Sequence, residues 1–409
     1  MKEIKSILEA YQRIDFTERK AALATVVKVQ GSSYRRPGAR MLMTDDGRWT
    51  GAISGGCLEG DALRKARMAI LDKKSSLITY DTMDDAAAAQ IGLGLGCNGI
   101  IDVLIEPIDE SDPNNPVRIL QHIASGREVV ALATVFDSAG ENPGIQIGQR
   151  LLFQGDQVTY NSFQNTHFAG LLAEDVQQAR DSGVSVTKTY DFPDTTVEAF
   201  IEVIKPEIKL VIFGAGYDTI PLSSMAKEMG WQVIMSDECV AHITPIRFPK
   251  ADALIHSKRE DILRKIEFDP YTAVVLMSHN YLYDLGVFKQ LFSHELTEQL
   301  AYVGVVGPRK RYQKMIDELQ KDEEVHTDVL MMNKVHSPIG LDIGAETPDE
   351  IALAIIAEVQ ARFTNRTGGF LKDKPGYIHK RDKEEGPSIE RIYAQPQFRS
   401  CDIQVGRDL

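Results

Sequence analysis

The chain has 409 residues, 43% of them apolar and 26% charged, with a formal net charge of −13. That length supports two or three domains with cores of their own, and the ordinary composition excludes a fibrous repeat or a wholly disordered chain. The acid excess argues against a general affinity for nucleic acid or anionic membranes, which are held by clustered Lys and Arg.

In chain order, MKEIKSILEAYQRI places Ile4, Ile7, Leu8 and Tyr11 at helical spacing without the unbroken apolar core of a signal peptide. No apolar run approaches the ~20 residues that span a bilayer, so a cytoplasmic protein is expected. Cys57, Cys97, Cys239 and Cys401 lie at wide, irregular spacing. They match neither a disulfide framework nor a CxxC zinc pattern, so reduced thiols are expected and structural zinc is not. KAALATVVKVQ (20–30) reads as a buried strand, followed by the loop GSSYRRPGA, a strand RMLMT, a DDG turn and a strand RWTGAIS. After Gly55-Gly56-Cys57, Leu63, Ala66 and Ile70 mark a helix, and SSLITYD and IIDVLIEP read as strands, giving an α+β module.

The stretch that follows echoes this module: ALATVFDSAG repeats ALATVVKVQG, RLLFQGDQ repeats RMLMTDDG, and AFIEVIK repeats DVLIEPI. An N-terminal domain over 1–205 is expected, with an internal repeat at about 21–108 and 130–204. The second copy lacks GSSYRRPG, SGGCLEG and GLGCNG. From Pro206, the apolar strands KLVIFG, WQVIMSD, ADALIH, TAVVLMS and AYVGVVG alternate with helical stretches. The overall class is therefore α/β, with a Rossmann-like parallel-sheet domain over 206–363 behind the α+β module. Thr347, Pro348 and Glu350 announce the last helix through a cap, an N1 proline and a capping box. Residues 364–409 read as a polar tail.

LVIFGAG is a strand running into Gly214-x-Gly216, where small residues allow a tight turn and close approach to a pyrophosphate at a helix N-terminus. Thr219 occupies the third glycine position of the GxGxxG fingerprint, so helix packing must differ. Asp237 ends the next strand and could accept a ribose hydroxyl pair, or serve only as a strand end or helix cap. His279, Asn280 and Arg309 follow later strands and should share one crevice with the glycine turn. Cys57, between a strand and a predicted helix start, is either a small core residue or an activated thiolate, sulfur carrier or soft-metal ligand. Cys97 sits in GLGLGCNGI, where glycine N–H groups form either an anion nest or a plain turn. Ser32, Ser33, Arg35 and Arg36 offer hydroxyls and guanidinium forks to a phosphate, or form a solvated turn.

With those residues in view, the chain resembles the XdhC/CoxI family of accessory proteins for xanthine dehydrogenase and related molybdenum hydroxylases. The resemblance rests on GSSYRRPGARML, GAISGGCLEGD, GLGCNGIIDVLIEP, VIFGAGYDTIPL, MSHNYLYD, VGVVGPRKR and SPIGLDIGAETPDEIALAI in that order. It implies a chaperone that binds the molybdenum cofactor (molybdopterin), supports its sulfuration and inserts it into a hydroxylase. The family's cysteine loops fall on Gly55, Gly56, Cys57 and Cys97, with Cys57 the molybdenum or sulfur contact, and its glycine turn on Gly214 and Gly216. The partners implied are a molybdenum hydroxylase such as xanthine dehydrogenase and a cysteine desulfurase, with a homo-oligomeric state. The competing readings are an NAD(P)-dependent oxidoreductase that uses the glycine turn and Asp237, and a docking scaffold that holds no small ligand.

Overall fold

The computed structural model describes residues 1–81, 99–139, 144–193, 195–293, 296, 299–321 and 332–375. Helix α1 (Lys2–Gln12) leads into an antiparallel sheet built from β1 (Ala21–Gly31), β2 (Arg40–Thr44), β3 (Trp49–Gly51), β4 (Ser76–Asp81) and β5 (Gly99–Pro107), with α2 (Glu59–Asp72) between β3 and β4. Its strand order is β3-β2-β1-β5-β4. After α3 (Pro116–Ser125) come β6 (Val130–Ala139), β7 (Arg150–Gln154), β8 (Gln157–Asn161), α4 (Thr166–Ser182), β9 (Val186–Phe192) and β10 (Thr195–Ile204). Their sheet has the order β8-β7-β6-β10-β9, the same arrangement element for element.

The central strands of these sheets are buried on both faces, which is why ALATVV reads as an unbroken apolar run rather than an alternating one. On β1, Ala22, Ala24 and Val26 point to one face and pack with Ala62, Ala66 and Ile70 of α2. Leu23 and Val27 point to the other face and meet Leu132, Phe136 and Phe200 of the second sheet. In the second sheet, Ala131, Ala133 and Val135 pack likewise with Phe168, Leu172 and Val176 of α4.

Two reciprocal ion pairs cross between the sheets. Arg40 on β2 donates to Glu202 on β10 and to the carbonyl of Gly38. Arg150 on β7 donates to Glu106 on β5 and to the carbonyl of Gly148. Gly38 and Gly148 take φ of +93° and +91°, and a β-carbon at Gly38 would lie 2.6 Å from Glu202 Oε1. Glycine at that turn is required both by its backbone conformation and by the close approach of the carboxylate.

The C-terminal part comprises β11 (Lys209–Phe213), α5 (Thr219–Glu228), β12 (Gln232–Asp237), β13 (Ala253–His256), β14 (Thr272–Leu276), α6 (Tyr281–Ser293), β15 (Tyr302–Val305), α7 (Arg309–Leu319), β16 (Val335–His336) and α8 (Pro348–Phe363). The six strands are parallel in the order β13-β12-β11-β14-β15-β16, the Rossmann-like arrangement expected. Val211 and Phe213 enter the core shared with α6 and α7, while Leu210 and Ile212 enter the core shared with α5 and α8. Thr347 and Glu350 form the capping box that opens α8.

Lys5 pairs with Glu207 at 2.8 Å, and Arg127 reaches Asp269 at 2.5 Å and Gln232 at 3.2 Å. These contacts join the N-terminal part to residues at the starting ends of the parallel strands. Beyond Gly369 the chain forms a second unit, of which residues 370–375 are described, with a short 3-10 turn at Leu371–Asp373. The rest of the expected polar tail lies outside the described residues.

Arg150 and Glu106 are both buried, so removing one partner strands the other charge away from water. Glu106→Ala is expected to cost about 3–5 kcal/mol of unfolding free energy in urea titrations. A double Glu106→Leu, Arg150→Met variant should recover most of that loss.

Candidate functional site

Two loop clusters carry the polar residues singled out in the sequence. The first surrounds Cys57, two residues before α2 begins at Glu59. Ser54 Oγ accepts hydrogen bonds from the N–H groups of Gly56, Cys57 and Leu58, each at 3.1 Å, and donates to Glu59 Oε2 at 2.5 Å. Glu59 Oε1 in turn accepts from the N–H groups of Ser54 and Ile53 at 2.8 and 3.2 Å. The buried Ser54–Glu59 pair therefore folds the SGGC loop into a tight cap. Cys57 stays half-buried, its Sγ 3.5 Å from Ser54 Oγ.

The neighbouring GSSYRRPG loop joins this cluster. The Tyr34 ring lies over Gly55, 3.6 Å from where a β-carbon would stand. Gly99, which opens β5, presses so close to Ser32 that a β-carbon there would sit 2.3 Å from the Ser32 carbonyl. Ser33 Oγ is buried with no hydrogen-bond partner. Arg35 is ion-paired with Glu3, whereas burial and the neighbouring Arg366 hold Arg36 below the usual guanidinium range. Cys97 lies outside the described residues.

The second cluster sits where the parallel strands end. Gly214 has φ +121°, and a β-carbon would lie 2.6 Å from the Met277 carbonyl, so the strand crossing itself demands glycine. Asp237 is buried, and its two oxygens accept from the N–H groups of Ala215 (2.8 Å) and Cys239 (2.7 Å). It braces the glycine turn. The carboxylate at the rim is its neighbour Glu238, which meets Arg259 at 3.0 Å and the Asn280 side-chain amide at 3.5 Å. Asn280 Oδ1 also accepts from the N–H groups of Leu282 and Tyr283, which caps α6. Arg309 stands exposed at the start of α7.

His279 and Asp218 meet across this crevice, with Nε2 and Oδ2 2.7 Å apart. Below them, Ser278 donates to Asp284 at 2.5 Å, and Asp284 pairs with Arg311 at 2.7 Å. Burial pushes the Asp284 carboxyl above its ordinary range despite the donors from Ser278 and Arg311. Asp218, Asp284 and Arg311 lie within VIFGAGYDTIPL, MSHNYLYD and VGVVGPRKR but have no role in the sequence reading, and Glu238 lies in none of the quoted motifs. The structure brings Gly214, Gly216, Asp237, His279 and Asn280 together, and Ser32, Ser33, Gly55, Gly56 and Cys57 together. The first of these lies at the ends of the parallel strands, opposite the starting ends that Lys5 and Arg127 contact.

Residues 210–359 match the model of the XdhC Rossmann domain and residues 17–81 that of the XdhC and CoxI family. The chain is 32% identical over 342 residues to a Bacillus subtilis (strain 168) protein named as a probable xanthine dehydrogenase subunit, spanning 84% of this chain and 93% of that protein. It is 21% identical over 339 residues to the molybdenum cofactor insertion chaperone PaoD of Escherichia coli (strain K12), covering 83% and 82% of the two. A Bacillus halodurans protein, solved as a xanthine dehydrogenase, superposes with a TM-score of 0.69 at 26% identity over 92% of this chain and 98% of that one. A Rossmann domain behind a cysteine-loop α+β module defines the class, and the chain belongs to the XdhC and CoxI family. No helix among the described residues is long and apolar enough to cross a membrane.

Burial raises the Glu59 carboxyl, but the Ser54 hydroxyl and the N–H groups of Ser54 and Ile53 outweigh it and hold the group below its ordinary 4.5. A depressed folded-state value stabilises the loop above the unfolded value, and that contribution is lost as pH falls through the folded one. Amide resonances of Gly56, Cys57 and Leu58 should therefore stay fixed from neutral pH to about 5 and move only below it. Glu59→Gln should abolish that acid transition and cost about 1–3 kcal/mol in stability.

Proposed function

We propose that this chain is an accessory protein of a molybdenum hydroxylase, binding the molybdenum cofactor as cargo and delivering it to the enzyme. The names of the Bacillus and Escherichia relatives support this reading. The observation that carries it is the Ser54-capped loop, which fixes Cys57 half-buried at the start of α2, next to the GSSYRRPG loop whose Tyr34 lies over Gly55. The donor set fits the cargo. A soft thiolate suits molybdenum or a transferable sulfur, while the orphaned Ser33 hydroxyl and the Arg36 guanidinium suit the pterin phosphate.

In this reading Ser54 and Glu59 position the Cys57 backbone, and Tyr34 shields one side of the loop. Cys97, from the GLGCNG loop, would be the second thiol. Support for sulfuration, with a cysteine desulfurase as donor, and a homo-oligomeric working state belong to the same proposal. So do the boundaries 1–205, 206–363 and 364–409 and a duplication relating 21–108 to 130–204. A nicotinamide nucleotide remains the second reading for the strand-end crevice, favoured by the Gly214-x-Gly216 turn at the centre of the parallel sheet.

Protein purified from cofactor-producing cells should carry pterin and molybdenum by mass spectrometry and metal analysis. Cys57→Ala should lower retention by about tenfold or more, and adding Cys97→Ala should abolish activation of the apo-hydroxylase. Undiminished retention and activation in the double variant would remove both cysteines from the mechanism.

A further inference from the structure

Among the described residues nothing covers the outer face of α2. Gly60, Arg64, Arg67, Met68 and Leu71 recur at helical spacing and are all exposed, so they form one stripe along the helix. Met68 is 54% exposed and Leu71 78%. The turn between β2 and β3 adjoins the stripe: Arg67 Nε donates to the Asp45 carbonyl at 3.0 Å, and a β-carbon at Gly47 would stand 3.0 Å from Arg67 Nη2. Trp49, just past that turn, lies opposite Met43 on the α2 side of the sheet and is 52% exposed. A single exposed apolar residue needs no explanation, but Trp, Met and Leu on one face among arginines do.

The second sheet supplies the comparison. Helices α2 and α4 both end at a left-handed residue, Lys73 and Gly183. Counting back from those caps places Glu174, Gln177, Gln178 and Asp181 where α2 has Arg64, Arg67, Met68 and Leu71, and all four are exposed. The frame therefore does not require apolar residues at these positions, since α4 fills them with groups suited to water. The charge differs in sign as well. Residues 59–74 hold five Lys and Arg against three Asp and Glu, whereas residues 169–184 hold one against three. Arg64, although paired with Asp61, keeps most of its side chain in solvent. In a chain of net charge −13, α2 is thus a local basic region with an apolar centre.

Charge and symmetry select the occupant. A second copy meeting this face isologously would set Arg64 and Arg67 against their own equivalents, which is repulsive. A second copy meeting it through the acidic α4 would not close, because α2 and α4 cover opposite outer faces of the paired sheets, and the contact would propagate from copy to copy. The occupant that fits is a different protein with an acidic rim around an apolar patch. The stripe begins at Gly60, three residues after Cys57, and runs roughly 17 Å to Leu71. A protein seated on it has the Cys57 loop at its edge.

We propose that the outer face of α2, with Trp49, is the docking surface for the molybdenum hydroxylase that receives the cargo. The identity of the partner rests on the accessory function proposed above; the acidic, apolar character of the surface that fits does not.

Met68→Gln with Leu71→Asp gives α2 the residues of α4, and Gln178→Met with Asp181→Leu is the reciprocal change. Binding of the full chain to the apo-hydroxylase, read by calorimetry at low and high salt, should weaken about tenfold or more in the α2 variant and stay unchanged in the α4 variant. Arg64→Gln with Arg67→Gln should weaken it at low salt and flatten its salt dependence. Cofactor retention should stay unchanged in all three. Hydroxylase binding undiminished by the α2 changes, or weakened equally by the α4 changes, overturns the inference and leaves the accessory function standing. A chain that retains cofactor but does not bind the apo-hydroxylase overturns it too, while one that does neither fails the accessory reading itself. If the α2 changes instead abolish sedimentation with phosphatidylglycerol vesicles, or self-association, and spare the hydroxylase, the face belongs to a membrane or a second copy and the inference falls.

Discussion

The N-terminal half depends on how two sheets, each already packed on its own helix, tolerate burying their second faces against each other. Apolar contact through Leu23, Val27, Leu104, Leu132, Phe136 and Phe200 drives the association. The reciprocal pairs Arg40–Glu202 and Arg150–Glu106 fix its register. Apolar packing alone would allow the sheets to slide. A buried guanidinium does not, because any displacement leaves a charge without its partner in a low dielectric. Each arginine also ties down the carbonyl of a left-handed glycine, so the pairs hold the β1–β2 and β6–β7 connections as well.

That rigidity matters for the cysteine loop. The first sheet carries Tyr34, Ser54, Cys57 and Glu59 on connections between its strands and α2, and those connections are ordered by buried side-chain hydrogen bonds. The second sheet keeps the same frame, and its connection into α4 is capped by Asn165 instead. One frame thus supports two connections into a helix that are capped differently.

In the C-terminal part the same economy appears around the glycine turn. Asp237, placed where a ribose acceptor is expected, is used inside to hold Ala215 and Cys239. Glu238 beside it is half-buried, and His279, Asn280 and Arg309 are exposed. Sequence patterning located the strand end but not which of two adjacent carboxylates faces outward. That is decided by the N–H groups of Ala215 and Cys239, which take both oxygens of Asp237.

Local signals were legible wherever the governing physics is local. The doubly buried β1, the strand into Gly214-x-Gly216, and the Thr347–Glu350 capping box each follow from residues within a few positions of one another. By itself the sequence therefore determined the α/β class, the order of the two parts and the family. The tertiary structure decided the rest. Arg40 finds Glu202 across 162 positions and His279 finds Asp218 across 61. Strand neighbours in a sheet are set by crossover connections and not by distance along the chain.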